Sequence, residues 1–173
     1  MLKIFSTQLS GIFKTINEDE FAFEDSARLL AQAAVGDGHI YIAGFSELQG
    51  LIAQVSEGID SLPACLPFND IDEVTSADRV LIATRNHTDK DANALAHTLY
   101  ERNIPFVAMS SITDEEEGLN QLADVHIDMH VKRGLVPSET GGRIGFPHLL
   151  TALYILHGIQ FTLLELLEEY KDE

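Results

Sequence analysis

Hydroxyls, an amide, an imidazole and a guanidinium crowd into one short run of this chain, Thr84-Arg85-Asn86-His87-Thr88-Asp89. Such side chains hold a phosphate well beside a helix N-terminus, where unpaired backbone N–H groups and the helix dipole add to the same field. The plain alternative is a polar turn in which Thr88 or Asp89 caps the next helix. A second run, HIYIAGFSELQG from His39 to Gly50, reads as strand, glycine turn and helix. Ile40 to Ala43 form the strand and Gly44 the turn; Ser46 caps a helix carrying Leu48, Leu51, Ile52 and Val55. That turn also offers N–H groups to an anion, although every α/β protein contains such a connection. Ser110 and Ser111 end a third apolar run.

Other groups carry weaker signals. Glu139, Thr140 and Arg143 lie among Gly141, Gly142 and Gly145, a loop that could fold over a ligand and set Arg143 on a phosphate. Lys132 and Arg133 read as a solvated pair. His126, Asp128 and His130 share one face of an alternating strand; these are metal-ligand types, but no fourth ligand is evident and no metal is expected. Cys65, the only cysteine, sits in an apolar run and reads as a small hydrophobe in a reducing compartment.

The elements that must position these groups follow from periodicity. Leu2, Phe5, Leu9, Phe13 and Ile16 form a helical stripe. A second helix starts at the acidic cluster Glu18 to Glu20 and stops at Gly36-Asp37-Gly38. Leu62 to Phe68, with two prolines, predicts a short edge strand. RVLIAT from Arg79 and PFVAM from Pro105 predict buried strands, with a helix through Ala92, Leu95, Ala96 and Leu99 between them. Asp114 to Leu122 reads as a short helix, Val125 to Val131 as a half-buried edge strand, and Phe146 to Tyr170 as a long apolar helix. Strands alternating with helices predict a parallel sheet, with ligands beyond the strands' C-terminal ends.

The sequence has 173 residues, 45% hydrophobic and 23% charged, ordinary for a globular domain. Its formal net charge of -17 excludes a nucleic-acid footprint, which needs clustered Lys and Arg. Arg85, Lys90, Lys132, Arg133 and Arg143 nonetheless fall in or beside loops. Lys3, Ser6, Gln8 and Ser10 interrupt the N-terminal segment, so no signal peptide is expected. Phe146 to Leu164 is long enough to span a bilayer. Pro147, His148, Thr151, His157, Gln160 and Thr162 argue instead for a helix buried between the sheet and a second subunit, with no membrane partner.

These strand ends together resemble the SIS (sugar isomerase) domain family, and within it the phosphoheptose isomerases. IYIAGFS is similar to that family's first strand and its Gly/Ser loop. Thr84 to Asp89 take the place of the Ser-x-Ser-Gly-x-Thr/Ser loop: Thr84 stands for the first Ser, Asn86 for the second and His87 for the Gly. Ser110 or Ser111 matches the small hydroxyl residue after the next strand. The resemblance spans roughly Leu2 to Tyr170 and includes a bacterial group of SIS-like proteins without assigned activity.

The resemblance implies one domain over residues 1–173, with N-terminal helices over 1–36, an α/β core over 39–131 and a C-terminal helix over 146–170. The implied fold is a three-layer αβα sandwich with a five-stranded parallel sheet in flavodoxin-like order. It implies a cytoplasmic homodimer or higher homo-oligomer, without cofactor, that binds a phosphosugar. Gly44, Ser46, Thr84, Arg85, Asn86, His87, Thr88, Ser110, Ser111 and Arg143 would bind it. Heptose isomerases move a proton through an enediol, using a Glu on the helix after the first strand and a His on the last helix. Glu57 and His157 stand at matching places, His148 less well. The implied activity is aldose–ketose isomerisation. The altered second loop favours the alternative, a regulatory module that binds a sugar phosphate without turnover.

Overall fold

Continuous apolar runs become the strands of a parallel sheet. The computed structural model describes residues 1–171. Its main strands are β1 (Ile40–Gly44), β2 (Cys65–Pro67), β3 (Arg79–Asn86), β4 (Phe106–Ser111) and β5 (Val125–Asp128). Every pairing among them is parallel, in the order β2-β1-β3-β4-β5, the flavodoxin-like order expected. Val80 to Ala83 and Phe106 to Met109 are buried throughout, as strands covered on both faces must be.

Two helical layers cover the sheet. On one face Ile42, Leu81, Val107, Met109 and Ile127 pack under α2 (Glu20–Val35), α3 (Gly50–Glu57) and α6 (His148–Glu169). On the other, Tyr41, Ile82, Phe106 and Ala108 meet Ala92, Ala96 and Leu99 of α4 (Lys90–Glu101) and Leu119 of the single-turn α5 (Leu119–Leu122). Helix α6 is long and apolar enough to cross a membrane, yet it packs along α2 with Ala152, Ile155, Ile159 and Leu163 in the core. Helix α1 (Leu2–Asn17) lies outside it, tied by the Phe13–Tyr154 ring stack and a hydrogen bond from the Tyr154 hydroxyl to Asn17 Oδ1 at 2.9 Å.

The structure departs from the sequence reading at the loops. Ser46 does not cap a helix. It is exposed with a positive φ of 54°, and Ser46–Gln49 form a 3-10 turn before α3 begins at Gly50. That turn folds the Leu48 carbonyl over Gly44: a Cβ on Gly44 would lie 2.3 Å from Leu48 O. β3 runs on to Asn86, so Arg85 and Asn86 belong to a strand end, with a register shift between Ala83 and Asn86. The helix expected from Asp114 shrinks to α5, because the segment before it is held by His87 instead. β5 does pair at the sheet edge, but it stops at Asp128: His130 has a φ of 56°, and Val131 N donates to Ser111 Oγ. The long Gly-containing loop contains a hairpin of β6 (Val136–Pro137) and β7 (Arg143–Ile144), and α6 starts at His148.

Candidate functional site

The chain moves from β1 to β2 on one side and returns to β3 on the other, so strand order reverses between β1 and β3. A crevice opens at the carboxyl ends of strands at such a point. Here it is a cleft of about 540 Å³ lined by Glu47, Arg85, Asn86, Thr113, Val131, Lys132, Phe146 and His148. Glu47 comes from the 3-10 turn after β1, Arg85 and Asn86 from the end of β3, and Thr113 from the segment after β4. Lys132 follows β5, and His148 opens α6.

Two of the cleft's charges, Arg85 and Glu47, form a pair. Arg85 Nη2 lies 2.6 Å from Glu47 Oε2, and Arg85 Nε donates to the same oxygen at 2.7 Å. This hydrogen bond holds the Glu47 carboxyl below the usual carboxylate range, against the opposing effect of burial. Glu47 Oε1 lies 3.8 Å from His148 Nδ1. Burial pushes the His148 imidazole below its ordinary value, which favours the neutral ring. A carboxylate beside a neutral imidazole is a set that can move protons, and a guanidinium with an ammonium can neutralise an anion.

The residues singled out from sequence divide into those in the cleft and those elsewhere. Arg85 and Asn86 line it. Gly44 ends β1 beside it, while Ser46 faces solvent and Thr84 is buried in β3. Thr88 is partly buried in the turn before α4. His87 is fully buried, with Nε2 3.0 Å from the Glu116 carbonyl and Nδ1 3.5 Å from the Thr113 N–H. With Nε2 protonated the ring donates to the first and accepts from the second; Nδ1 also lies 3.3 Å from the Ser111 carbonyl, and in either tautomer the side chain lies between the 112–118 segment and the end of β4. Ser110 Oγ lies 2.6 Å from His126 Nε2, and Ser111 Oγ accepts from Val131 N at 3.0 Å; both serines are buried. Arg143 donates from Nε to the Gly134 carbonyl at 2.6 Å and from Nη2 to that of Leu135 at 2.9 Å, stapling the hairpin.

Glu57 is the exposed last residue of α3, and His157 stacks near Phe161 in a groove with Asn17, Glu20, Phe23 and Tyr154. Neither lines the rim cleft of this chain. His126 pairs with Ser110, and His130 Nδ1 lies 3.3 Å from Asp128; among the described residues no three metal-ligating side chains gather. Burial pushes the Cys65 thiol up to about 12, which keeps it protonated at neutral pH.

Sequence reasoning missed Glu47 and Thr113; Lys132, read as solvated, is exposed, and it stands at the mouth of the rim cleft. Glu47 sits inside the first run it singled out, but an ordinary α-helix from Ser46 would have aimed it differently from the observed 3-10 turn.

The profile of a family described as "Domain of unknown function (DUF2529)" matches residues 1–167. The chain belongs to this family. A relative, "Uncharacterized protein YwjG" of Bacillus subtilis (strain 168), is 45% identical over 172 residues, covering 98% of this chain and 99% of that one. The fold is similar to that of the Vibrio vulnificus NanR protein, solved in complex with ManNAc-6P: TM-score 0.69 and 18% identity, with 99% of this chain and 64% of that one covered. It is also similar to the sugar isomerase domain of an RpiR transcription factor from Sphaerobacter thermophilus, with TM-score 0.62, 14% identity, and 99% and 98% covered. The three-layer, five-stranded parallel fold is therefore SIS-like.

Proposed function

We propose that this DUF2529 protein binds a small phosphorylated sugar in the rim cleft between β1 and β3. The observation that carries the reading is the convergence of Arg85, Lys132 and Asn86 at a strand-order reversal, in a chain whose net charge is -17. With Glu47 paired to Arg85, Lys132 leaves the cleft lining one net positive charge in an acidic molecule, a local exception to its own field. The similarly folded NanR protein, solved with ManNAc-6P, supports the same ligand class. Titrating a panel of pentose, hexose and heptose phosphates by calorimetry tests it. A member binding at micromolar to low millimolar strength is expected, and Arg85→Gln should weaken it about tenfold or more. If no phosphosugar binds, the reading fails.

A second reading, aldose–ketose isomerisation, is favoured by the 3.8 Å approach of Glu47 to His148 inside the cleft. In it the Glu47 carboxylate takes the proton from the carbon beside the carbonyl and returns it to the neighbouring carbon through an enediol. His148 moves the hydroxyl proton. Glu57 and His157, matched by resemblance, would need a neighbouring subunit to reach a cleft, and a homodimer belongs to that version. Proton NMR of each phosphosugar with the protein separates the possibilities. Turnover abolished by Glu47→Gln places the chemistry in the rim cleft, turnover abolished by Glu57→Gln places it on α3, and binding without turnover leaves a regulatory module.

A further inference from the structure

Three helices of eight residues or more begin close to the rim turns where an anion is expected: α3 continues the 3-10 turn, where the Gly50 N–H already bonds the Glu47 and Leu48 carbonyls, while α4 and α6 begin afresh and their N-termini differ. Helix α4 is already closed by its own carboxylate: Asp89 Oδ1 accepts from Ala92 N at 2.9 Å. Asn93 Nδ2 then donates to the carbonyls of His87 and Asp89, at 2.8 and 2.7 Å. A phosphate at that turn would have to displace a negative charge from the place it seeks.

Helix α6 begins without such a cap. Its N-cap residue is Pro147, which supplies no side-chain acceptor, and its first turn holds no acidic residue. The N–H groups of His148, Leu149 and Leu150 precede the first helical bond, which Thr151 N makes to the Pro147 carbonyl at 2.9 Å. A second observation points to the same spot. The His148 side chain is only 7% exposed, and its Nδ1, facing Glu47 Oε1 at 3.8 Å, makes no hydrogen bond among the described residues. A buried polar atom left unpaired is costly, and here the ring lines the same cleft as Arg85 and Lys132.

Building on the phosphosugar reading, we infer that the ligand's anionic group docks on the first turn of α6, between Arg85 and Lys132, and not at the β3–α4 turn. The N–H groups of that turn supply donors, and the two cations supply charge. Among the described residues, Glu47 is the one carboxylate lining the cleft, and Arg85 neutralises it until the anion competes for the same guanidinium. The remainder of the ligand then extends towards Glu47 and Asn86.

Amide-resolved NMR of the full chain, titrated with inorganic phosphate and then with a bound phosphosugar, tests this. The largest shift changes should fall on the amides of His148, Leu149 and Leu150. Changes centred on residues 88–91 would overturn the location while leaving phosphosugar binding intact. No saturable change with any anion would overturn both. Pro147→Asp gives a second readout, since it places a capping carboxylate on α6. Phosphate affinity should fall about tenfold or more while the melting temperature holds or rises. Should that buried position not accept Asp, Lys132→Gln on an exposed side chain should still lower affinity several-fold; unchanged affinity in a folded variant counts against the site.

Discussion

His126 shows how a residue's neighbours decide its chemistry. On paper it shares a strand face with Asp128 and His130; in the fold its Nε2 meets Ser110 Oγ, and burial pushes its pKa down to about 4 despite the opposing field of Asp128. The folded state therefore holds a neutral ring where the unfolded chain binds a proton near pH 6.5. Its contribution is complete above about pH 6.5 and is lost as pH falls towards about 4, a change of roughly 3 kcal/mol. Urea titrations across that range should show His126→Gln less stable at neutral pH than the parent, with the gap closing as acid is added; a gap independent of pH would refute the assignment. Reading from sequence reached Arg85 and Asn86, because their position at a strand end follows from the apolar run before them. It did not reach the engagement of Ser110, Ser111 and His87, whose partners lie 16 to 29 residues further along the chain. Hydroxyl type says nothing about whether tertiary contacts have already used it.

At the scale of elements, the strands and their order were legible, since a buried parallel strand demands an uninterrupted apolar run. The connections were not, because one residue of backbone geometry redirects them. The 3-10 turn after β1 decides the cleft, and Gly44 permits it. An alanine there would push its Cβ to within 2.3 Å of the Leu48 carbonyl oxygen, a backbone atom with little freedom to yield. Gly44→Ala should cost about 2 kcal/mol or more in thermal or chemical unfolding, and should weaken ligand binding as Glu47 shifts. A fully stable Gly44→Ala protein would show that the turn is softer than described. Gly118 is comparable: its absent Cβ would sit 2.2 Å from the His87 carbonyl oxygen, so the segment after β4 also closes tightly.

For the whole molecule, helices α1 and α6 leave apolar side chains exposed to solvent. Leu2 and Ile4 on α1 and Leu150 and Phe161 on α6 are all exposed. The expected homo-oligomer would cover such surface, and a chain at -17 needs apolar contact to overcome its self-repulsion. Light scattering should report at least twice the chain mass, and Phe161→Glu should reduce it while leaving circular dichroism unchanged. A parent that is monomeric at tens of micromolar would rule out the dimeric version of the isomerase reading, in which Glu57 and His157 act from a neighbour.

The Glu47–Arg85 pair also bears on discrimination. Before any guest arrives, the protein's own carboxylate occupies the guanidinium that a phosphate would take. A sugar lacking that group offers the guanidinium only neutral hydroxyls, a weaker partner than the carboxylate it would displace from this half-exposed pair. On the binding reading, a preference for the phosphorylated sugar is thus built into the resting protein.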